Sequence, residues 1–150
     1  MTAAIQTARE LISFRIREQD FCIDIVSVRE IRGWTPATPL PRAPAHVMGV
    51  INLRGAVMPV IDLAARLGLG STPPNDRNVI VVVWDGARQV GLMVDAVSET
   101  LTIDAGDLHP AGEVAAGFAT DFVEGFLTLG ERTVTVLRLA EVLPSLDEAA

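Results

Sequence analysis

A single cysteine, Cys22, among 150 residues excludes an intrachain disulfide and fits a reducing compartment. It alternates with apolar neighbours in a strand-like run, which favours a small core filler over an activated thiolate. Histidine is equally scarce: His46 and His109 are isolated from cysteines and paired carboxylates at ligand spacing, so no metal centre is expected. No run of lysine or arginine interrupts the chain. With a net charge of -7 and a pI near 4.7, nucleic acid and anionic membrane surfaces are poor partners, because both reward basic patches. No apolar stretch approaches the roughly 20 residues of a membrane-spanning helix. The opening Met1-Thr2-Ala3-Ala4-Ile5-Gln6 lacks the basic region and apolar core of a signal peptide, and the expected location is the cytoplasm. Enzyme signatures are missing too. Gly112 to Gly117 lacks the Lys-Ser/Thr ending of a phosphate loop, no GxGxxG follows a strand, and no nucleophile stands with its base. Glu99, Asp104 and Asp107 read as a solvated acidic face. Neither catalysis nor a cofactor is expected.

What the chain does have is apolar residues in strand order, at 49% hydrophobic content, enough for one ordinary domain. Ile12, Phe14 and Ile16 alternate with polar residues, Glu18-Gln19-Asp20 interrupts, and Phe21, Ile23 and Ile25 resume, which predicts a hairpin with one buried face. The continuous run Val79 to Trp84 ends at Asp85-Gly86, a pair that tolerates a tight turn, before Val90 to Val94. Helix signals are short. Asp62 is placed to cap Leu63 to Leu67, with Gly68 to stop it, and Leu139 to Leu143 precedes Pro144.

Sliding the sequence against itself exposes a repeat. At an offset of 69, Leu11-Ile12-Ser13-Phe14 meets Ile80-Val81-Val82-Val83, and Val28-Arg29-Glu30 meets Val97-Ser98-Glu99. At an offset of 76, Gly49 to Leu53 lies over Gly125 to Leu129 and Pro59 to Leu63 over Thr135 to Leu139. Amphipathic strands resemble one another when scored loosely, but two hairpins in the same order favour duplication. Halves this small gain a core by curling into barrels that hide their edges and by packing together, with a groove between. Leu69 to Asp76, rich in Gly, Ser and Pro, is the expected connection, and Asp104 to Ala119 a surface loop.

The segment Gly49 to Leu63 carries the most specific pattern: two apolar strands meeting at a turn led by Arg54, with Gly55 free to adopt positive φ. An arginine at such an apex offers a planar fork of donors, suited to binding a partner or anchoring a neighbouring loop. Glu30 is the expected partner of Arg54, fixing the rim of the groove, against the alternative of a solvated, unpaired arginine. Gly49 and Pro59 each read equally as marks of a bulge, an edge or a close backbone approach.

This segment resembles the GVxNLRGxxxPVxDL signature of the CheW family, and the similarity extends from about Leu11 to Leu143. Phe21-Cys22-Ile23-Asp24-Ile25, Val28-Arg29-Glu30-Ile31, Pro39-Leu40-Pro41 and Gly91 to Asp95 also match. Arg138 departs from the acidic residue often found there, and Trp34 stands where Tyr is common. The resemblance implies a mainly β fold of two packed five-stranded SH3-like barrels with one or two short helices. The expected domain is 11–143, divided into 18–77 and 78–143, with the first strand, 11–17, open to joining the second, and tails at 1–10 and 144–150.

It further implies a non-enzymatic chemotaxis adaptor that couples methyl-accepting chemoreceptor cytoplasmic tips to a CheA-type histidine kinase through that kinase's regulatory domain, and joins other CheW-like domains in rings. Val28, Glu30, Gly49 and Arg54 are the residues implied for receptor and kinase binding. Two other readings stay open: a regulatory-domain fragment of the kinase itself or of a hybrid adaptor, and a small-ligand-binding barrel lined by Met58, Met93 and Phe126.

Overall fold

The computed structural model describes residues 8–71, 73–114 and 121–143, with 113 and 114 as backbone alone. Thr72 in the connection, part of the long surface loop, residues 1–7 and 144–150 of the expected tails and the expected helix stop at Pro144 lie outside the described residues, whereas Arg9 and Glu10, expected in the first tail, open the first strand. Among the described residues, eleven strands form two sheets: β1 (Arg9–Ile16), β2 (Gln19–Asp24), β3 (Val28–Gly33), β4 (Val47–Leu53), β5 (Ala56–Asp62), β6 (Val79–Asp85), β7 (Arg88–Val94), β8 (Ala96–Ile103), β9 (His109–Pro110), β10 (Val123–Leu129) and β11 (Arg132–Leu137). The described residues also include three short helical stretches, α1 (Leu63–Arg66), α2 (Ala111–Val114) and α3 (Leu139–Val142). The first and last lie where Asp62 and Leu139 predict them, and Asp62 Oδ1 accepts from the Ala65 N–H at 3.4 Å. Gly68 takes φ 81° just beyond α1.

One sheet has the order β3-β6-β7-β5-β4 and the other β8-β1-β2-β11-β10-β9. The expected boundary between 77 and 78 therefore does not divide the sheets. The hairpin β1–β2 joins strands of the second half, while β6–β7 joins those of the first. The chain changes sheets at the 3-10 turn Ile25–Ser27 and again at Asp95, between β7 and β8. Each half thus lends its first hairpin to the other half's barrel.

The registers show that the repeat is structural. In the parallel pairs Val60 faces Gly91 and Val136 faces Cys22, positions related by the same offsets of 76 and 69. Bulges recur as well, between Val47 and Gly49 and between Val123 and Gly125. A backbone bond from Asp62 N to His46 O is matched by one from Arg138 N to Phe122 O, both 2.8 Å. Each sheet closes on itself through the segment that follows its edge strand. Thr38 bridges Val50 of β4 with bonds of 2.8 and 2.9 Å, and β9 pairs with β10.

Three apolar clusters follow from this winding. Ile51, Leu53, Met58, Val60, Ile80 and Val82 fill one barrel; Leu11, Cys22, Leu101, Ile103, Leu127, Val134 and Val136 fill the other. Between the barrels lies a shared core, to which Ile12, Phe14, Ile23, Val81, Val83 and Leu92 contribute. Strands that face a barrel interior on one side and the shared core on the other are buried on both, which explains the continuous apolar run at Val79 to Val83. Each such side chain contributes about 1.5–3 kcal/mol through burial.

Gly49 sits at a bulge with φ 145°, and a Cβ there would lie 2.1 Å from the Thr38 carbonyl oxygen. Gly49→Ala is expected to destabilise the protein by roughly 3 kcal/mol through overpacking at the barrel closure. Gly33→Ala, at a position with open space around the new Cβ, should change stability by no more than about 0.5 kcal/mol. Urea unfolding of the two variants measures the contrast.

Candidate partner-binding site

The turn between β4 and β5 requires left-handed backbone at both central positions, and Arg54 and Gly55 supply it at φ 54° and 88°. Asn52 steadies it, its Oδ1 accepting from the Gly55 N–H at 2.9 Å. A non-glycine residue in this region costs about 1–2 kcal/mol, so arginine here is held against backbone preference and its side chain is aimed. Its fork donates to both oxygens of Glu30, Nη2 to Oε1 and Nη1 to Oε2, the latter at 3.5 Å. The expected pairing is present. Glu30 lies on edge strand β3 and Arg54 on the hairpin at the opposite edge, so the ion pair bridges the seam of the first barrel.

Glu30 also accepts from Arg32 Nη1 at 3.3 Å and from Arg29 Nη1. Three guanidinium groups around one carboxylate hold its pKa down to about 2, with the Arg54 hydrogen bond the main cause and that from Arg32 next. The same bond raises the Arg54 guanidinium further above its ordinary value. The basic patch absent from the linear sequence is therefore assembled in space, in a chain of net charge -7. Arg29 is the bulged residue of β3, between paired Val28 and Glu30. Its guanidinium carbon lies 5.7 Å from the ring centre of Trp84, which is 41% exposed. Val57, on the Arg54 hairpin, is 70% exposed.

Val28 is half-buried against the shared core, close in sequence to the carboxylate cluster. Gly49 is buried at the bulge, where it lets the chain beyond β3 close on β4. Arg29, Arg32, Trp84 and Val57 were not singled out from sequence. The one available signal was the position of Trp84 at the end of an apolar strand, before the Asp-Gly turn.

The second barrel repeats the arrangement with different residues. Glu99, the counterpart of Glu30, accepts from Arg132 Nη2 at 3.3 Å, and Gly130 with φ 64° stands where the first barrel has Arg54. Arg132 also lies 3.9 Å from Asp20. Glu99 is thus paired rather than merely solvated. A further ion cluster, illegible in sequence, ties Arg9 to Asp24 at 2.9 Å and to Glu124 at 2.7 Å.

Met58 and Met93 are core residues, and Phe126 lines a surface cleft of about 310 Å3 with Phe122, Leu67 and Leu69, so the three do not line a common ligand cavity. Among the described residues no group of three or more His, Cys, Asp or Glu could hold a metal ion. No helix among them is long and apolar enough to cross a membrane. Cys22 is wholly buried, and desolvation pushes its thiol up to about 12.

Two interwoven barrels carrying a charged, partly apolar surface patch define a protein-binding scaffold. The family model for the CheW-like domain matches residues 10–147. The chain is 50% identical over 142 residues to the chemotaxis protein CheW of Rhizobium meliloti (strain 1021), covering 95% of this chain and 92% of that one. It is 47% identical to a probable chemotaxis protein CheW of Rhizobium etli, over 97% and 94% of the two chains. The crystal structure of the scaffolding protein TtCheW from Thermoanaerobacter tengcongensis matches with a TM-score of 0.81 and 30% identity, covering 91% of this chain and 88% of that one. The chain belongs to the CheW-like family. It is a non-enzymatic chemotaxis adaptor.

Because the folded-state pKa of Glu30 is depressed, its ionised form contributes stability above the unfolded value of 4.5 that is lost as the pH falls towards about 2. The stability gap between the native chain and Glu30→Gln, measured by urea unfolding at a series of pH values, should be constant near neutrality and close across that window. Cys22 should resist thiol reagents in the native protein at pH 8 and react at once in denaturant, as absorbance with a disulfide reagent would show.

Proposed function

We propose that this adaptor links the cytoplasmic tips of methyl-accepting chemoreceptors to the regulatory domain of a CheA-type histidine kinase, working in the cytoplasm at receptor arrays that it reaches through its partners. The Glu30–Arg54 clasp, with Val28 beside it, is the binding surface, and Gly49 acts indirectly by permitting the barrel to close. The observation that carries this reading is the clasp itself: an arginine held in a left-handed turn and aimed along the barrel seam. Its neighbours fit a docking role. Arg29, Arg32 and Arg54 outnumber the one carboxylate they share, and Trp84 and Val57 offer apolar area next to fixed charge. The second barrel, with its Glu99–Arg132 pair, would join a further CheW-like domain in a ring.

The relatives matched along more than nine-tenths of their own length carry the name chemotaxis protein CheW and not that of a kinase, which supports this reading over a regulatory-domain fragment of the kinase. The buried positions of Met58 and Met93 argue against a ligand-binding barrel.

Titration calorimetry of the chain against a kinase regulatory domain and against a receptor-tip helical hairpin tests the proposal. The native chain should bind, and Arg54→Glu should weaken at least one of the two associations tenfold or more, with Arg54→Ala intermediate. The thermal midpoint should stay within about 3 °C of the native value, since an exposed pair adds little stability. Silence of the native chain towards both partners would overturn the reading.

A further inference from the structure

The two barrels meet at α1 and α3, the single-turn helices that follow β5 and β11. The offset of 76 that relates the halves places Arg66, the last residue of α1, over Val142, the last residue of α3. These equivalent positions touch. Arg66 Nε donates to the Val142 carbonyl at 2.7 Å and Nη2 donates to the Glu141 carbonyl at 3.2 Å, while the guanidinium lies 5.0 Å from the ring centre of Phe122. The last carbonyls of a helix have no partner within it, and here a cation from the other barrel satisfies them, as the sign of the helix dipole favours. Leu63, Ala64, Leu139 and Val142 pack in the shared core beneath, a cluster of non-directional contacts. The Arg66 bonds are directional, and no symmetric counterpart exists, because Val142 has no donor to return.

We infer that Arg66 is a positioning residue that sets the angle between the two barrels, and so the angle at which the adaptor presents its two docking faces. The geometry stands alone; the consequence for assembly rests on the adaptor reading above. A partner docked on one barrel feels only that barrel, whereas closure of a ring needs both faces at one fixed relation. Arg66 therefore governs assembly without governing one-to-one binding.

Two measurements on the full chain test this. Spin labels at Val57→Cys and Thr133→Cys, exposed positions related by the repeat, report the distance between barrels by pulsed electron resonance, with buried Cys22 left unlabelled. Arg66→Met keeps an apolar stem against Phe122 and removes every donor, so it should fold, and it should at least double the width of the distance distribution. Arg66→Lys, which retains a donor for Val142, should restore most of the native width. In the second measurement, unlabelled protein is mixed with a kinase regulatory domain. Arg66→Met should bind it within twofold of the native affinity yet lose at least tenfold of the larger assemblies seen by sedimentation velocity, with Arg66→Lys recovering them. An unchanged distance distribution in folded Arg66→Met would overturn the inference. If the native chain forms no assembly, the adaptor reading fails while the distance measurement still decides the role of Arg66.

Discussion

The parallel pairings of β2 with β11 and of β5 with β7 carry the architecture, because each joins a hairpin from one half of the chain to strands from the other. A barrel of five short strands drawn from one half alone would bury only its own interior. By exchanging hairpins the halves create a third apolar cluster that belongs to neither barrel. The barrels are therefore joined by a common core and by the chain segments that cross between the sheets. For a protein whose product is a geometry, this is the property the fold supplies.

Duplication gave both barrels the same frame and left their seams free to diverge. In the first, Arg54 occupies the turn and reaches back to Glu30; in the second, glycine takes the turn at Gly130 and Arg132 reaches Glu99. The acidic residue and the left-handed turn are common, and the position of the arginine differs. All twelve cations of this chain are arginine, and the planar fork suits such seams because it can hold two carboxylate oxygens together. Around Glu30 three forks converge on one acceptor, which leaves donors over for a partner.

Much of this was legible in the sequence because it is local or periodic. Alternation at Ile12 to Ile25 marked a hairpin, Asp62 and Gly68 marked a helix start and stop, and two offsets marked the repeat down to its registers. The Arg54–Glu30 pair followed from opposite charge on two family-like segments. What the sequence concealed was long-range. Nothing in residues 25 to 27 or at Asp95 signals a change of sheet, so the units of repetition in the sequence do not coincide with the sheets. Arg29 and Arg32 looked like ordinary charges on an edge strand until β3 met the hairpin of Arg54. Arg9 and Glu124, separated by 115 positions, meet only in the closed second barrel. Gly49 was legible as a mark of close backbone approach, which the position of the Thr38 carbonyl bears out.

The exchange of hairpins also orders events during synthesis. The barrel built from 28 to 94 has all its strands once β7 has left the ribosome, yet β1 and β2, made before any of it, belong to the other barrel and wait for β11 at residue 137. The earliest hairpin is thus the last to be enclosed. Since Leu11, Ile12, Phe14, Ile16, Cys22 and Ile23 cover both of its faces, the nascent chain carries a two-sided apolar ribbon until those partner strands are made, the stage at which exposed strands invite aggregation.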